Sequence, residues 1–250
     1  MSEDTVYAVA SGKGGVGKTT ITVNVGITIA DLDYRVAVVD ADLGMANLTD
    51  LFEASPSGAT LHEVLSGDAA LGEALYELAE GFVVVPSGDA LESYAAVDTE
   101  RLGSVVEALR EAFDYVLLDV GAGISREAVL PLGLADAVVL VATPDLAAVK
   151  NVSKTADLVR RADGDIEGVV INRMRPDDSV DEGTIAANLG PHLLGTIPED
   201  DAVRRALHSG TPVVVVEPES DAAAAYRELA GKLVASDESS HPSDPTEERR

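Results

Sequence analysis

Cysteine and tryptophan are absent from this chain of 250 residues. Without Cys there is no disulfide staple, no thiol nucleophile, no thiolate zinc site and no cysteine-held iron–sulfur cluster. Basic residues are scarce: 18 Lys plus Arg stand against 44 Asp plus Glu, a formal net charge of −26, and only five of the 18 are Lys. A dense cationic patch for DNA or anionic lipid is hard to assemble from that stock. Aromatics make up 4% of the chain. The longest apolar runs, such as AVVLVA at 137–142, fall far short of the roughly 18 residues that span a bilayer. The opening MSEDTVYAVA is acidic and lacks the basic-then-apolar order of a secretion signal, so a reducing, cytoplasmic setting is expected.

What is present is enough apolar matter for a sizeable core, 46% of the residues. The acids are spread along the chain rather than clustered, a distribution expected of a protein adapted to a salt-rich cytoplasm, where self-repulsion is screened within a few ångströms. Short β-branched runs alternate with helical patterns from end to end. TVYAVAS, YRVAVVD, GFVVVPS, DYVLLDV, DAVVLVAT, IEGVVIN, HLLGTI and PVVVV read as strands, and most are bounded by Gly, Pro or Asp. ERLGSVVEALREAF, PDLAAVKNVSKTADLVRRA and DAAAAYRELAGKLVA read as helices. The expected fold is α/β, a mostly parallel sheet of about seven or eight strands flanked by helices on both faces. From Ser236 to Arg250 no apolar residue occurs. That stretch is expected to be a disordered acidic tail, leaving 1–235 as one domain.

The most informative segment is SGKGGVGKTT, which contains G-x-x-x-x-G-K-T from Gly12. Glycines let a backbone curl around a phosphate and aim its N–H groups inward. Gly12, Lys13, Gly14, Gly15, Val16 and Gly17 form the candidate loop, followed by Lys18, Thr19 and Thr20. Lys18 supplies charge to the β/γ-phosphates, and the Thr19 hydroxyl can ligate Mg²⁺. The next residues, TTITVNVGITIADLD, alternate apolar and polar like a strand. The loop nevertheless requires a helix there, because phosphate sits at a helix N-terminus. The helical reading is taken.

Lys13 is not needed by a plain phosphate loop. The form KGGVGKT resembles the deviant Walker A loop of the MinD/ParA family of P-loop ATPases, and the chain is most similar to archaeal, haloarchaeal-type MinD-like members. The resemblance implies that Lys13 reaches across an ATP-dependent homodimer to the partner's phosphates, stabilising transition-state charge as an arginine finger does. It also implies that Asp40 and Asp119, at the ends of YRVAVVD and DYVLLDV, serve the Mg²⁺ shell, and that Asp42 orients the attacking water. DVGAG places Gly121 where the family more often has Pro. Asn172 in VVINRM, and Pro198 with Glu199 in GTIPEDD, match the family's base-pocket positions. The similarity extends from Val6 to Val234.

The implied activity is Mg²⁺-dependent ATP hydrolysis, slow without an activating protein partner, in a dimerising switch for spatial positioning. Two alternatives remain open: a ParA-like DNA partition ATPase, and a small-molecule enzyme on the same fold. Net charge argues against DNA binding, and the tail lacks the basic amphipathic helix of a membrane anchor. Four histidines, His62, His192, His208 and His241, lack metal-ligand spacing and are expected to be surface or half-buried residues. Arg160, Arg161, Arg173, Arg175, Arg204 and Arg205 are expected to pair with neighbouring acids.

Overall fold

The computed structural model describes residues 4–44, 48–52, 58–88, 98, 101–121, 126–178 and 192–240. The β-branched runs become strands β1 (Thr5–Ala10), β2 (Val36–Ala41), β4 (Phe82–Val85), β5 (Tyr115–Val120), β6 (Ala137–Ala142), β7 (Ile166–Met174) and β8 (Leu193–Pro198). A short, largely exposed strand that the sequence pattern does not announce, β3 (Tyr76–Ala79), completes an eight-stranded sheet of order β3-β4-β2-β5-β1-β6-β7-β8. All pairings are parallel except the β3–β4 edge hairpin. The helices are α1 (Lys18–Ala30), α2 (Leu61–Ser66), α3 (Arg101–Arg110), α4 (Arg126–Leu134), α5 (Leu146–Arg161), α6 (Asp201–His208), α7 (Val213–Val216) and α8 (Asp221–Ser240).

Because strand side chains alternate between faces, the sheet builds two cores. On one face Ala8, Val39 and Leu118 pack with Leu65 of α2, Val106 of α3 and Val152 of α5. On the other, Val9, Val38 and Leu117 pack with Ile21 and Val25 of α1 and Leu229 of α8. Asp40 and Asp119 stand side by side in the β2–β5 register, on the α1 face.

The segment that alternates like a strand is α1, as the phosphate loop requires. Every residue from Ile21 to Ile29 is buried, so the helix has no solvent face to impose a 3.6-residue polarity pattern. Gly26 lets it settle on the sheet: a β-carbon there would lie 2.9 Å from the Phe82 ring and from Val38.

Two expectations are corrected. PVVVV is a single helical turn, α7, headed by Pro212, with Val213 and Val214 buried and Val215 and Val216 exposed. Its Val214 N–H donates to Asn24 Oδ1 on α1 at 3.1 Å, so tertiary position overrides β propensity. The second correction concerns the boundary at 235. Helix α8 continues to Ser240. Asp237 is buried and accepts hydrogen bonds from the Thr5 hydroxyl and, at 3.0 Å, from the Tyr115 hydroxyl. Hydroxyl donors on β1 and β5 hold Asp237, a polar contact that hydropathy does not reveal. Residues 241–250 lie outside the described residues. Among the described residues no helix is long and apolar enough to cross a membrane.

Asp237→Ala removes the acceptor for both hydroxyls and should cost about 1–3 kcal/mol in urea unfolding. An unchanged midpoint would show that the last turn does not brace the sheet.

Candidate functional site

The loop between β1 and α1 takes the shape its glycines permit. Gly15 and Gly17 have φ of +74° and +94°, the left-handed region that other residues rarely enter. A side chain at Gly17 would also run into the Asn172 amide. Gly12 is forced by packing instead: its β-carbon would fall 2.7 Å from that of Asn151 on α5. The Ser11 hydroxyl donates to the Lys13 carbonyl at 2.8 Å, and the Asn172 side-chain N–H, at the end of β7, donates to the Val16 carbonyl at 2.7 Å. The loop is thus pinned from two strands before any ligand arrives.

Its two lysines have opposite surroundings. Lys18 is buried at the head of α1, whereas Lys13, Gly14 and Gly15 are exposed. Thr19 turns its hydroxyl to Asp119 Oδ2 at 2.5 Å. Asp119 is 2% exposed and its other oxygen, Oδ1, has no hydrogen-bond partner among the described residues. Burial pushes its pKa up to about 6, against the opposing effects of the Thr19 hydrogen bond and the Lys18 charge. A half-satisfied buried carboxylate beside a hydroxyl is a fitting donor set for a hard divalent cation. Among the described residues no group of three or more His, Asp or Glu could hold a metal alone. A site of one Thr and one Asp leaves most of the shell to water and phosphate, the coordination Mg²⁺ favours.

Asp40 is fully buried and its oxygens accept the N–H groups of Asp42 and Leu48, both at 3.2 Å. In this conformation it shapes the loop that follows β2. Asp42, two residues on, lies across Gly121: a β-carbon at 121 would be 2.9 Å from its Oδ1. The space left by the expected Pro-to-Gly departure is therefore occupied by the Asp42 carboxylate. The remainder of DVGAG lies outside the described residues.

Asn172, Pro198 and Glu199 all line one cleft of about 220 Å³, together with Gly17 and Thr20 of the loop and helix α1. Arg173 sits at its edge with φ of +60°, its N–H bonded to Asn172 Oδ1 at 3.0 Å. Holding a non-glycine residue there costs on the order of 1 kcal/mol or more, a strain usually found at functional positions. Asp200 caps both helices that wall the cleft, accepting from Ala202 N–H of α6 at 2.8 Å and Ala222 N–H of α8 at 3.2 Å. Val203, Leu207 and Tyr226 complete the apolar lining. The first two are legible as one face of DDAVRRALH, four residues apart. Tyr226 had no local signal, since only the return of α8 to the sheet brings it here.

Of the basic spots, Arg160, Arg175, Arg204 and Arg205 pair with Asp157, Glu199, Asp201 and Glu217 as expected. Arg173 instead lines the cleft. His192 and His208 are exposed, but His62 is 1% exposed, against expectation. His241 lies outside the described residues.

Comparison with known proteins agrees with this geometry. Residues 7–213 match the CobQ/CobB/MinD/ParA nucleotide-binding domain. An uncharacterised ATP-binding protein of Methanocaldococcus jannaschii is 37% identical over 229 residues, 91% of this chain and 86% of that protein. The septum site-determining protein MinD of Pyrococcus horikoshii, solved with Mg-ADP, superposes with a TM-score of 0.88 at 31% identity, covering 92% of this chain and 96% of the other. MinD in the MinC:MinD cell division complex of Aquifex aeolicus superposes at 0.83 with 25% identity, covering 92% and 96%. Phosphate loop, strand-end carboxylates and sheet order together place the chain in the CobQ/CobB/MinD/ParA nucleotide-binding family, and it is similar to the MinD proteins within it.

Proposed function

We propose that the protein is a MinD-like ATPase that dimerises on ATP and Mg²⁺ and hydrolyses ATP to ADP and phosphate, acting as a switch in cellular positioning. The observation that carries this reading is the contrast between Lys18, buried at the head of α1, and Lys13, exposed on the same loop. A cation so placed is available to a second molecule docked over the loop. There it would stabilise charge developing on the other subunit's nucleotide.

In this reading the backbone of residues 12–17 and Lys18 hold the phosphates, and Thr20 borders them. Asn172, Pro198 and Glu199 border the base. Bound Mg²⁺ would be held by Thr19 with Asp119 behind it, Asp40 shaping the adjoining loop, and would supply charge neutralisation at the phosphates. Asp42, over Gly121, orients water for in-line attack. Loss of the γ-phosphate then releases both loops. A net charge of −26 with five lysines favours a protein partner over DNA or an anionic membrane. It also suits a cytoplasm rich in salt.

Asp42→Ala should bind ATP normally, stop turnover and accumulate as dimer in sedimentation; normal hydrolysis would remove Asp42 from its role. Lys13→Ala should remain monomeric in ATP, and a wild-type dimer profile would refute the trans assignment. Asp119 tests the cation site through pH. Its folded pKa, about 6, exceeds the unfolded value near 3.9, so the native state holds the proton more tightly. Its contribution to stability is therefore lost as pH rises through that window. Asp119→Asn should raise the Tm of nucleotide-free protein at pH 7.5, while abolishing the further rise that Mg²⁺ adds to ATP. A lower Tm, or an intact Mg²⁺ increment, would contradict the assignment.

A further inference from the structure

His62 lies away from the phosphates, on the short helix α2, and is among the most deeply buried polar residues, at 1% exposure. Its two ring nitrogens face two different loops. Nδ1 is 2.8 Å from the Gly88 N–H and 3.1 Å from the Ser87 hydroxyl, in the segment leaving β4. Nε2 is 3.1 Å from the carbonyl oxygen of Leu43, the residue after Asp42. A backbone N–H can only donate, so Nδ1 is the acceptor and the ring proton resides on Nε2, donated to Leu43. Burial also holds the ring's pKa below the ordinary histidine value, against the smaller opposing effects of the Leu43 carbonyl and Glu63. The ring is neutral, in one tautomer.

The base on which the ring stands is fixed. A capping box closes the start of α2, with Glu63 accepting from the Thr60 N–H at 2.9 Å and from the Thr60 hydroxyl. The Leu61 N–H donates to the Pro86 carbonyl at 2.8 Å, tying the same turn to the β4 segment. Gly88 permits the close approach, because a β-carbon there would fall 2.9 Å from the Thr60 hydroxyl and 3.2 Å from Nδ1. The loop after β2 is thus gripped from opposite directions. Asp40 holds the amides of Asp42 and Leu48, and His62 holds the carbonyl of Leu43. Between these grips the Asp42 carboxylate is laid across Gly121.

We propose that His62 is a positioning residue for hydrolysis: by donating to the Leu43 carbonyl it sets where the Asp42 carboxylate stands when water attacks. The proposal rests on the reading of Asp42 given above. Its physical basis is that a preorganised group loses rate steeply when its support loosens, even though the support touches no reacting atom.

The two halves of the imidazole can be separated by substitution. In His62→Gln the side-chain amide N–H reaches the Nε2 position and keeps the donor to Leu43. In His62→Asn the shorter amide reaches only the Nδ1 position, keeping the Gly88 acceptor and losing the donor. ATP turnover, ATP affinity and ATP-dependent dimerisation are measured for both, with Asp42→Ala alongside. The expected result is a kcat about ten-fold lower in His62→Asn, the scale of one lost hydrogen bond. ATP affinity and dimerisation should be retained, and His62→Gln should stay within about three-fold of wild type on the same scale. Wild-type turnover in His62→Asn, the opposite order of the two variants, or loss of ATP affinity in place of kcat would overturn the proposal. If His62→Asn does not fold, His62→Gln still decides: normal affinity with turnover about ten-fold down refutes the donor role. Normal turnover in Asp42→Ala would refute the role of Asp42 itself. An inactive Asp42→Ala with a fully active His62→Asn would refute only the inference about His62.

Discussion

A carboxylate buried near the tip of a central strand, with one oxygen unsatisfied among the described residues, is the constraint around which the rest of the site is arranged. Asp119 ends β5, flanked by β2 and β1, so its desolvation cost is imposed by the middle of the sheet rather than by a flexible loop. Among the described residues the hydrogen bond from Thr19 offsets part of that cost, and Thr19 is fixed by the first turn of α1. The helix is in turn held by all-round burial and by Gly26 against the sheet. If Asp119 stands behind a bound cation as proposed, the fold tolerates an acid whose burial cost a metal–phosphate complex would relieve. Strain at Arg173 and left-handed glycines in the loop are smaller instances of the same arrangement.

The unusual surface has its own logic. With five lysines in the chain, placing two in the phosphate loop leaves three elsewhere, and several of the arginines are paired with acids on exposed faces. Such pairs contribute little stability individually, and less in high salt. Lys13 is exposed on a loop rich in glycine, within electrostatic reach of the Asp145 carboxylate at the head of α5.

Much of this was legible in the sequence because the chemistry demands local spacing. The phosphate loop required a helix after it, and that requirement correctly outweighed the alternation at Ile21, Val23 and Val25. The strand-end acids could be found because buried parallel strands are near-continuous apolar runs that stop at a polar residue. Asn172, Pro198 and Glu199, singled out by the family resemblance rather than by spacing, share a cleft with Gly17 and Thr20. What escaped were features made by distant contacts. Tyr226 reaches the cleft only through the path of α8, and Asp237 is hidden in a stretch with no apolar residue. His62 read as a surface or half-buried residue, because the two loops it joins are 45 residues apart in the chain, Leu43 to Gly88. PVVVV misled because propensity has no knowledge of the Asn24 acceptor that turns it into a helix.

The central claim is that a complete site needs residues from two copies of the chain. Mixing the Lys13→Ala and Asp42→Ala proteins tests it most directly, each being inactive alone. In a mixed dimer, the subunit lacking Lys13 keeps its own Asp42 and would receive Lys13 from its partner. Recovery of ATP hydrolysis on mixing, absent from either protein by itself, is the result this account predicts. A mixture as inactive as its components, although mixed dimers form, would show that Lys13 acts within its own subunit and would contradict it.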